Sequence, residues 1–351
     1  MGKQRLDYID IAKGIGILCV IWGHIVTNNF SGSFIYAFHM PLFFFLSGMF
    51  FNGGKYTSFF DFIKKRGRRL LVPYVIYSVV TWGIWAIFNR LTGNDTVSIW
   101  QSLLETVYAR GSGQFLHHNS ALWFIPCLFA VEIMYYFVSK LKRWLIIPVC
   151  FLVSGVSMML EHFYGEEYLY LLPWNLDAAM MALPFYAVGN VFSWKPELHN
   201  RLLDYTRNHT VISIAAVMLL FAVVGVLTKL VGFVGSVSMG HSYYGNEYIF
   251  HIRALMGSFA VCWLSVLVSQ AKYIGKLKQG LKWFGENSLD VMCTHIPVKG
   301  VLIVAVAVLL HTSNKMVTDN VIYALIVFVC TVAIEVVLIL AINRIKLYFK
   351  K

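Results

Sequence analysis

The apolar run from Ile9 to Val26 is long enough to cross a bilayer, yet it carries Asp10, Lys13 and His24. The next apolar run, after a short connection, holds His39. An ionisable side chain at such a depth costs roughly 3 kcal/mol or more unless it is paired or lines a wet cavity. On a helix, Lys13 and His24 project within about 20° of each other and stand about 16 Å apart along the axis. Asp10, Gly14, Ile17, Ile21 and His24 share that stripe, and Asp10 and Lys13 are spaced for an i,i+3 pair. This face therefore meets protein and not lipid, and it is the first place to look for chemistry.

Composition extends the reading to the whole chain. Of 351 residues, 58% are hydrophobic and only 13% charged, with a mean hydropathy of +0.67, which excludes a soluble domain. The expected fold is all-α: a polytopic membrane protein of about ten transmembrane helices, forming one domain over residues 1–351 with no appended soluble domain. Apolar runs place the spans at 9–28, 34–52, 70–89, 121–139, 144–160, 177–193, 210–231, 249–270, 289–310 and 320–343. Pro148 and Pro184 interrupt the fifth and sixth.

A net charge of +12 would suit a nucleic-acid binder, so its distribution decides. With a cytoplasmic N-terminus, 22 of the 29 basic residues fall in inside segments and four in outside loops. That bias is the positive-inside rule, so the charge reports topology and not nucleic acid. Both termini are expected in the cytoplasm, with the protein in the cell membrane. A lysine within the first run and no small-residue cleavage pattern argue against a signal peptide. The six cysteines lie inside the expected spans without paired spacing, so no disulfide framework or metal site is expected.

The inside segment Lys55 to Leu70 is the densest basic cluster, holding Lys64, Lys65, Arg66, Arg68 and Arg69. It suits lipid headgroups, or the phosphates of a cytoplasmic coenzyme A thioester. In the longest outside segment, Asn89 to Ala121, "LLETVYAR" reads as a short interfacial helix. His117 and His118 are adjacent and so diverge, and no carboxylate stands at ligand spacing, which argues against a metal there. The outer loops Glu161 to Asp177 and Ser236 to Arg253 are rich in rings, amides and acids, a composition shared by sugar sites and interfacial aromatic belts. Arg253 enters the eighth span from outside; it could stabilise a developing oxyanion or pair with Asp177 or Glu247. Glu132, Asp290, His295, Lys299 and Glu335 are further ionisable groups in expected spans, several of them expected to be mutual partners.

Taken together, the acidic residue, the Lys-Gly pair at Lys13, the Gly-His pair at His24 and "HMPLFFFLSG" from His39 resemble the membrane-bound acyltransferase-3 family, nearest its fucose 4-O-acetylase-like branch. The family has an arginine ten or so residues before the histidine; here Lys13 keeps the charge without the bidentate fork. "ALWFIPCLF" from Ala121 and "NSLDVMCTHIPV" from Asn287 extend the likeness. The resemblance implies transfer of an acyl group, acetyl foremost, from cytoplasmic acetyl-CoA to a hydroxyl of an envelope or exported glycan, with no metal. On that reading His24 is the general base, Lys13 with Asp10 positions the donor, His39 orients His24 or relays its proton, and Arg253 and His295 follow as secondary candidates. Direct transfer and a covalent acyl-histidine both fit. A secondary transporter of a small metabolite or lipid-linked sugar is the alternative, although no inverted repeat is evident. A non-catalytic assembly protein of the envelope is a third reading.

Overall fold

The computed structural model describes residues 7–26, 30–92, 97–111, 115–169, 172–193, 196–231 and 237–348. Fifteen helices run through them: α1 Asp7–Ile25, α2 Phe30–Tyr36, α3 His39–Gly48, α4 Phe59–Thr92, α5 Ile99–Tyr108, α6 Phe124–Val138, α7 Arg143–Leu169, α8 Leu176–Ser193, α9 Pro196–Asn208, α10 Thr210–Leu230, α11 Glu247–Gln270, α12 Gly275–Glu286, α13 Ser288–Leu309, α14 Asn314–Asp319 and α15 Val321–Tyr348. No β-strand occurs among the described residues, and nine helical segments are long and apolar enough to cross a membrane. The protein is an all-α, multi-pass membrane protein. The expected span 177–193 is present as α8 but falls outside those nine.

Two departures from the expected spans have local causes. The second span starts at Phe30 and is broken at Ala37 and Phe38, giving α2 and α3 in place of one helix over 34–52. The basic segment expected as a loop is instead the start of the 34-residue helix α4. Its lysines and arginines lower hydropathy but are good helix formers, so the charge hides the helix without breaking it.

Burial separates helices that pack on protein from those that meet lipid. The apolar windows of α1, of α2 with α3, and of α6 are 67%, 67% and 78% buried, against 17% in α10 and 22% in α15. The outward residues of α10 and α15, such as Val211, Met218, Ile322 and Val337, are exposed and apolar, the composition that a hydrocarbon solvent requires.

The chain forms two compact units. The first comprises Met1–Leu42, Asn200–Val237 and Tyr248–Lys351. Within it, α12 lies directly on α1. A Cβ at Gly14 would overlap the Leu281 carbonyl, and one at Gly285 would overlap the Asp10 carbonyl, so two glycines set the approach of backbone to backbone. Lys282 closes the end of this contact on Asp7 at 2.6 Å, and that bond raises the Lys282 pKa. Along α13 and α15, Asn343 donates to Asn287 at 2.9 Å, Lys346 pairs with Asp290 at 2.7 Å, and Thr294 donates to the buried Glu335 at 2.7 Å. Two of the intramembrane acids, Asp290 and Glu335, thus meet Lys346 and Thr294.

The second unit comprises Phe43–His199 and Ser238–Glu247. Its helices α3 and α8 cross as closely as α1 and α12, with Gly48 against the Tyr186 carbonyl and Gly189 against that of Phe45. Asn190 donates to the Gly48 and Phe51 carbonyls at 3.0 and 2.9 Å, at and just past the end of α3. Arg66 forks onto the buried Glu132. At the opposite end of α6, Arg110 holds Asp177 at 3.2 Å through both terminal nitrogens, and Ser242 also donates to Asp177.

Candidate functional site

The end of α1 gathers three of the predicted histidines. Within the first unit the His24 ring lies 5.2 Å from that of His295, centroid to centroid, and its Nδ1 is 3.4 Å from the Tyr36 hydroxyl. The Tyr36 ring in turn stands edge-on to His39 at 4.8 Å. Glycine at 23 makes this possible, because a Cβ there would come within 3.0 Å of the Tyr36 ring. The break between α2 and α3 sets His39 at the first position of its helix, where Nδ1 reaches the Ile35 carbonyl at 2.9 Å. His295 does the same within α13, its Nδ1 lying 3.0 Å from the Val291 carbonyl.

These contacts fix the chemistry of two rings. A carbonyl can only accept, so Nδ1–H donates in both His39 and His295, and in the neutral ring Nε2 keeps its lone pair. His39 is 2% exposed and His295 fully buried, with the His295 Nε2 buried and without a hydrogen-bond partner among the described residues. Such a group can take or pass a proton. Lys299, one turn beyond His295, donates to the backbone carbonyl of His24 at 2.6 Å. That carbonyl belongs to the last turn of α1, where carbonyls lack intrahelical donors and a cation opposes the negative helix end. Lys299 therefore pins the backbone that carries His24.

Asp10 and Lys13 lie lower on α1: Asp10 is buried beside Gly285 of α12 and Lys13 is half-buried. The structure thus assembles His24, His39 and His295 at one end of the stripe and leaves Asp10 and Lys13 nearer its start. In the second unit, Lys64, Lys65, Arg68 and Arg69 are exposed on the first turns of α4, whereas Arg66 is committed to Glu132 and Lys65 pairs with Asp61 at 2.9 Å. Arg253 is 2% exposed within α11. Of the acids expected to neutralise it, Asp177 is held by Arg110, and the side chain of Glu247 lies outside the described residues.

The outer segment corrects one expectation. The interfacial helix is present as α5, but a carboxylate does reach the histidine pair: Glu105 of α5 meets His117, twelve positions on, at 2.8 Å. His118 also meets α5, 3.3 Å from Ser102, and burial together with the His117 charge lowers its pKa to about 4. Among the described residues no group of three metal-ligating side chains comes together.

Sequence reasoning missed Tyr36 as a member of the cluster and gave Lys299 no role. No sequence signal marks Tyr36, because its approach to Gly23 is a tertiary contact. Helical spans that carry a buried imidazole cluster at one helix end define a polytopic membrane protein with acid–base groups inside its bundle. The acyltransferase-3 signature, described as an acyltransferase domain, matches residues 6–340, and the chain belongs to that family. Comparisons with curated proteins and with solved structures gave no significant match. The protein is a membrane acyltransferase.

Proposed function

We propose that the protein is an O-acetyltransferase of the cell membrane, of the fucose 4-O-acetylase-like kind. It takes the acetyl group of cytoplasmic acetyl-CoA to a hydroxyl on an envelope or exported glycan. The observation that carries this reading is the cluster of His24, Tyr36, His39 and His295 at the end of α1, which supplies imidazoles where an apolar wall would be expected. In the proposed reaction His24 takes the proton of the acceptor hydroxyl as its oxygen attacks the thioester carbonyl. The tetrahedral intermediate collapses with loss of the carbon–sulfur bond, and the imidazolium returns the proton to the thiolate. His39 and His295, tied to backbone carbonyls, orient or relay. Lys13 and Asp10 set the charge along the lower stripe against which the donor lies.

The donor phosphates are assigned to the exposed cations of α4, namely Lys64, Lys65, Arg68 and Arg69. Arg66 is removed from that set, because withdrawing it from Glu132 would strand a buried carboxylate at a cost of about 3–5 kcal/mol. Both termini are placed in the cytoplasm by the basic-residue bias. Purified protein with acetyl-CoA and a panel of glycosides tests the reading: coenzyme A thiol should appear only when a hydroxyl acceptor is present. Acetyl-CoA, and not acetate, should also raise the thermal midpoint. Absence of both effects would reject the acetyl-CoA assignment.

A further inference from the structure

Arg253 is 2% exposed, and its Nε and Nη2 groups are buried without a hydrogen-bond partner among the described residues. Two other arginines of this chain show what such a group does when a partner exists. Arg110 presents its two terminal nitrogens to Asp177. Arg66 lays its Nε and Nη2 along the two oxygens of Glu132. The edge that Arg66 uses is the one on which Arg253 has unpartnered donors. Its two parallel N–H groups match two oxygens of one anion, a carboxylate or a phosphate, better than a single oxyanion. A guanidinium kept in a bundle interior with no counter-charge among the described residues is costly, so this one points to a ligand that brings the charge with it.

Its position says which ligand. Four residues on, Gly257 packs against Phe38 so tightly that a Cβ would lie 2.5 Å from the Phe38 side chain. Arg253 and Gly257 share a helix face, so the guanidinium belongs to the side of α11 that meets the α2–α3 corner, where Tyr36 and His39 sit. Lys64, Lys65, Arg68 and Arg69 already suit the phosphates of the donor, which leaves the acceptor.

We propose that Arg253 binds a carboxylate or phosphate of the acceptor, so that the glycan acetylated is an acidic one. This rests on the acetyltransferase reading for the word acceptor, but the binding is testable without it. The full chain, purified in detergent and without acetyl-CoA, is titrated by calorimetry with methyl β-glucuronide, glucose 1-phosphate and, as the neutral control, methyl β-glucoside. At least one anion should bind about tenfold or more tightly than the neutral glycoside, a margin expected of a charge-assisted pair. The arm that gains identifies carboxylate or phosphate. Arg253→Gln should erase the margin, and Arg253→Lys, which keeps charge without the fork, should retain part of it. Acetyl-CoA binding by each variant checks that it is folded. Equal affinity for all three probes in the native protein, or a margin that survives Arg253→Gln, overturns the proposal. Anion preference in a protein that transfers no acetyl group would leave the inference standing and remove the acetyltransferase reading; transfer without anion preference would do the reverse.

Discussion

His24 is held from three directions: the ring of His295, the hydroxyl of Tyr36, and Lys299 on its own carbonyl. If it is the base, His24→Ala should lower acetyl transfer by about 100-fold or more, the scale of general-base catalysis, while acetyl-CoA binding and detergent stability stay close to native. Near-native transfer by that variant would end the assignment. The rate should climb with pH through an imidazole titration, and that limb should vanish in the residual rate of His24→Gln. Lys13 calls for a different comparison. Lys13→Arg should keep most of the activity, whereas Lys13→Ala should lose most of it by removing a charge from the stripe; native rates in both variants would reduce Lys13 to an anchor. The three histidines could be found in the sequence because an ionisable group in an apolar run stands out. Tyr36 could not, since tyrosine is ordinary in membrane helices, and its importance comes from a chain break at Ala37 and Phe38 that no periodicity announced.

Among the elements, α12 offers a controlled test of how the stripe on α1 is covered. Gly285 abuts the Asp10 carbonyl, while a Cβ at Gly280, on the same helix, would meet nothing within 4 Å. Gly285→Ala should therefore destabilise the fold by about 1–3 kcal/mol through overpacking, and Gly280→Ala should be neutral or stabilise by up to about 1 kcal/mol through helix propensity. Thermal midpoints of the two variants check the contrast, and equal shifts would mean that α12 does not dock as described. The outer segment carries a pH prediction. His118 is unfavourable to protonate when folded, with its pKa lowered to about 4 by burial, whereas the unfolded chain titrates near 6.5. Below about pH 6.5 the unfolded state binds the extra proton, so His118 costs stability progressively down to about pH 4. His118→Gln should flatten the fall in thermal midpoint between pH 7 and 5. An unchanged slope would count against the burial. Here the sequence was a poor guide, because the contact of α5 with the histidine pair is a tertiary one.

At the level of the whole molecule, the spans could be read from hydropathy, since a bilayer imposes a run of apolar residues on any helix that crosses it. What remained hidden was α4, a helix that carries its charges outward past the apolar run, and the division into two units, which depends on which faces pack. In a cysteine-free background, a single cysteine at Lys64 should label from the cytoplasmic side and one at Trp100, 70% exposed, from the outer side. Labelling of both from one side would discard the topology and the donor side with it.

The bond from Lys299 to the His24 carbonyl spans 275 positions of the chain. The ribosome delivers His24 almost at once and Lys299 only near the end, and the ring that faces His24, His295, arrives just before it. An emerging chain thus carries His24 through most of synthesis without the helix that meets it. If His24 is the base, acyl transfer waits on the last fifth of the polypeptide, which brings both His295 and Lys299 to the first.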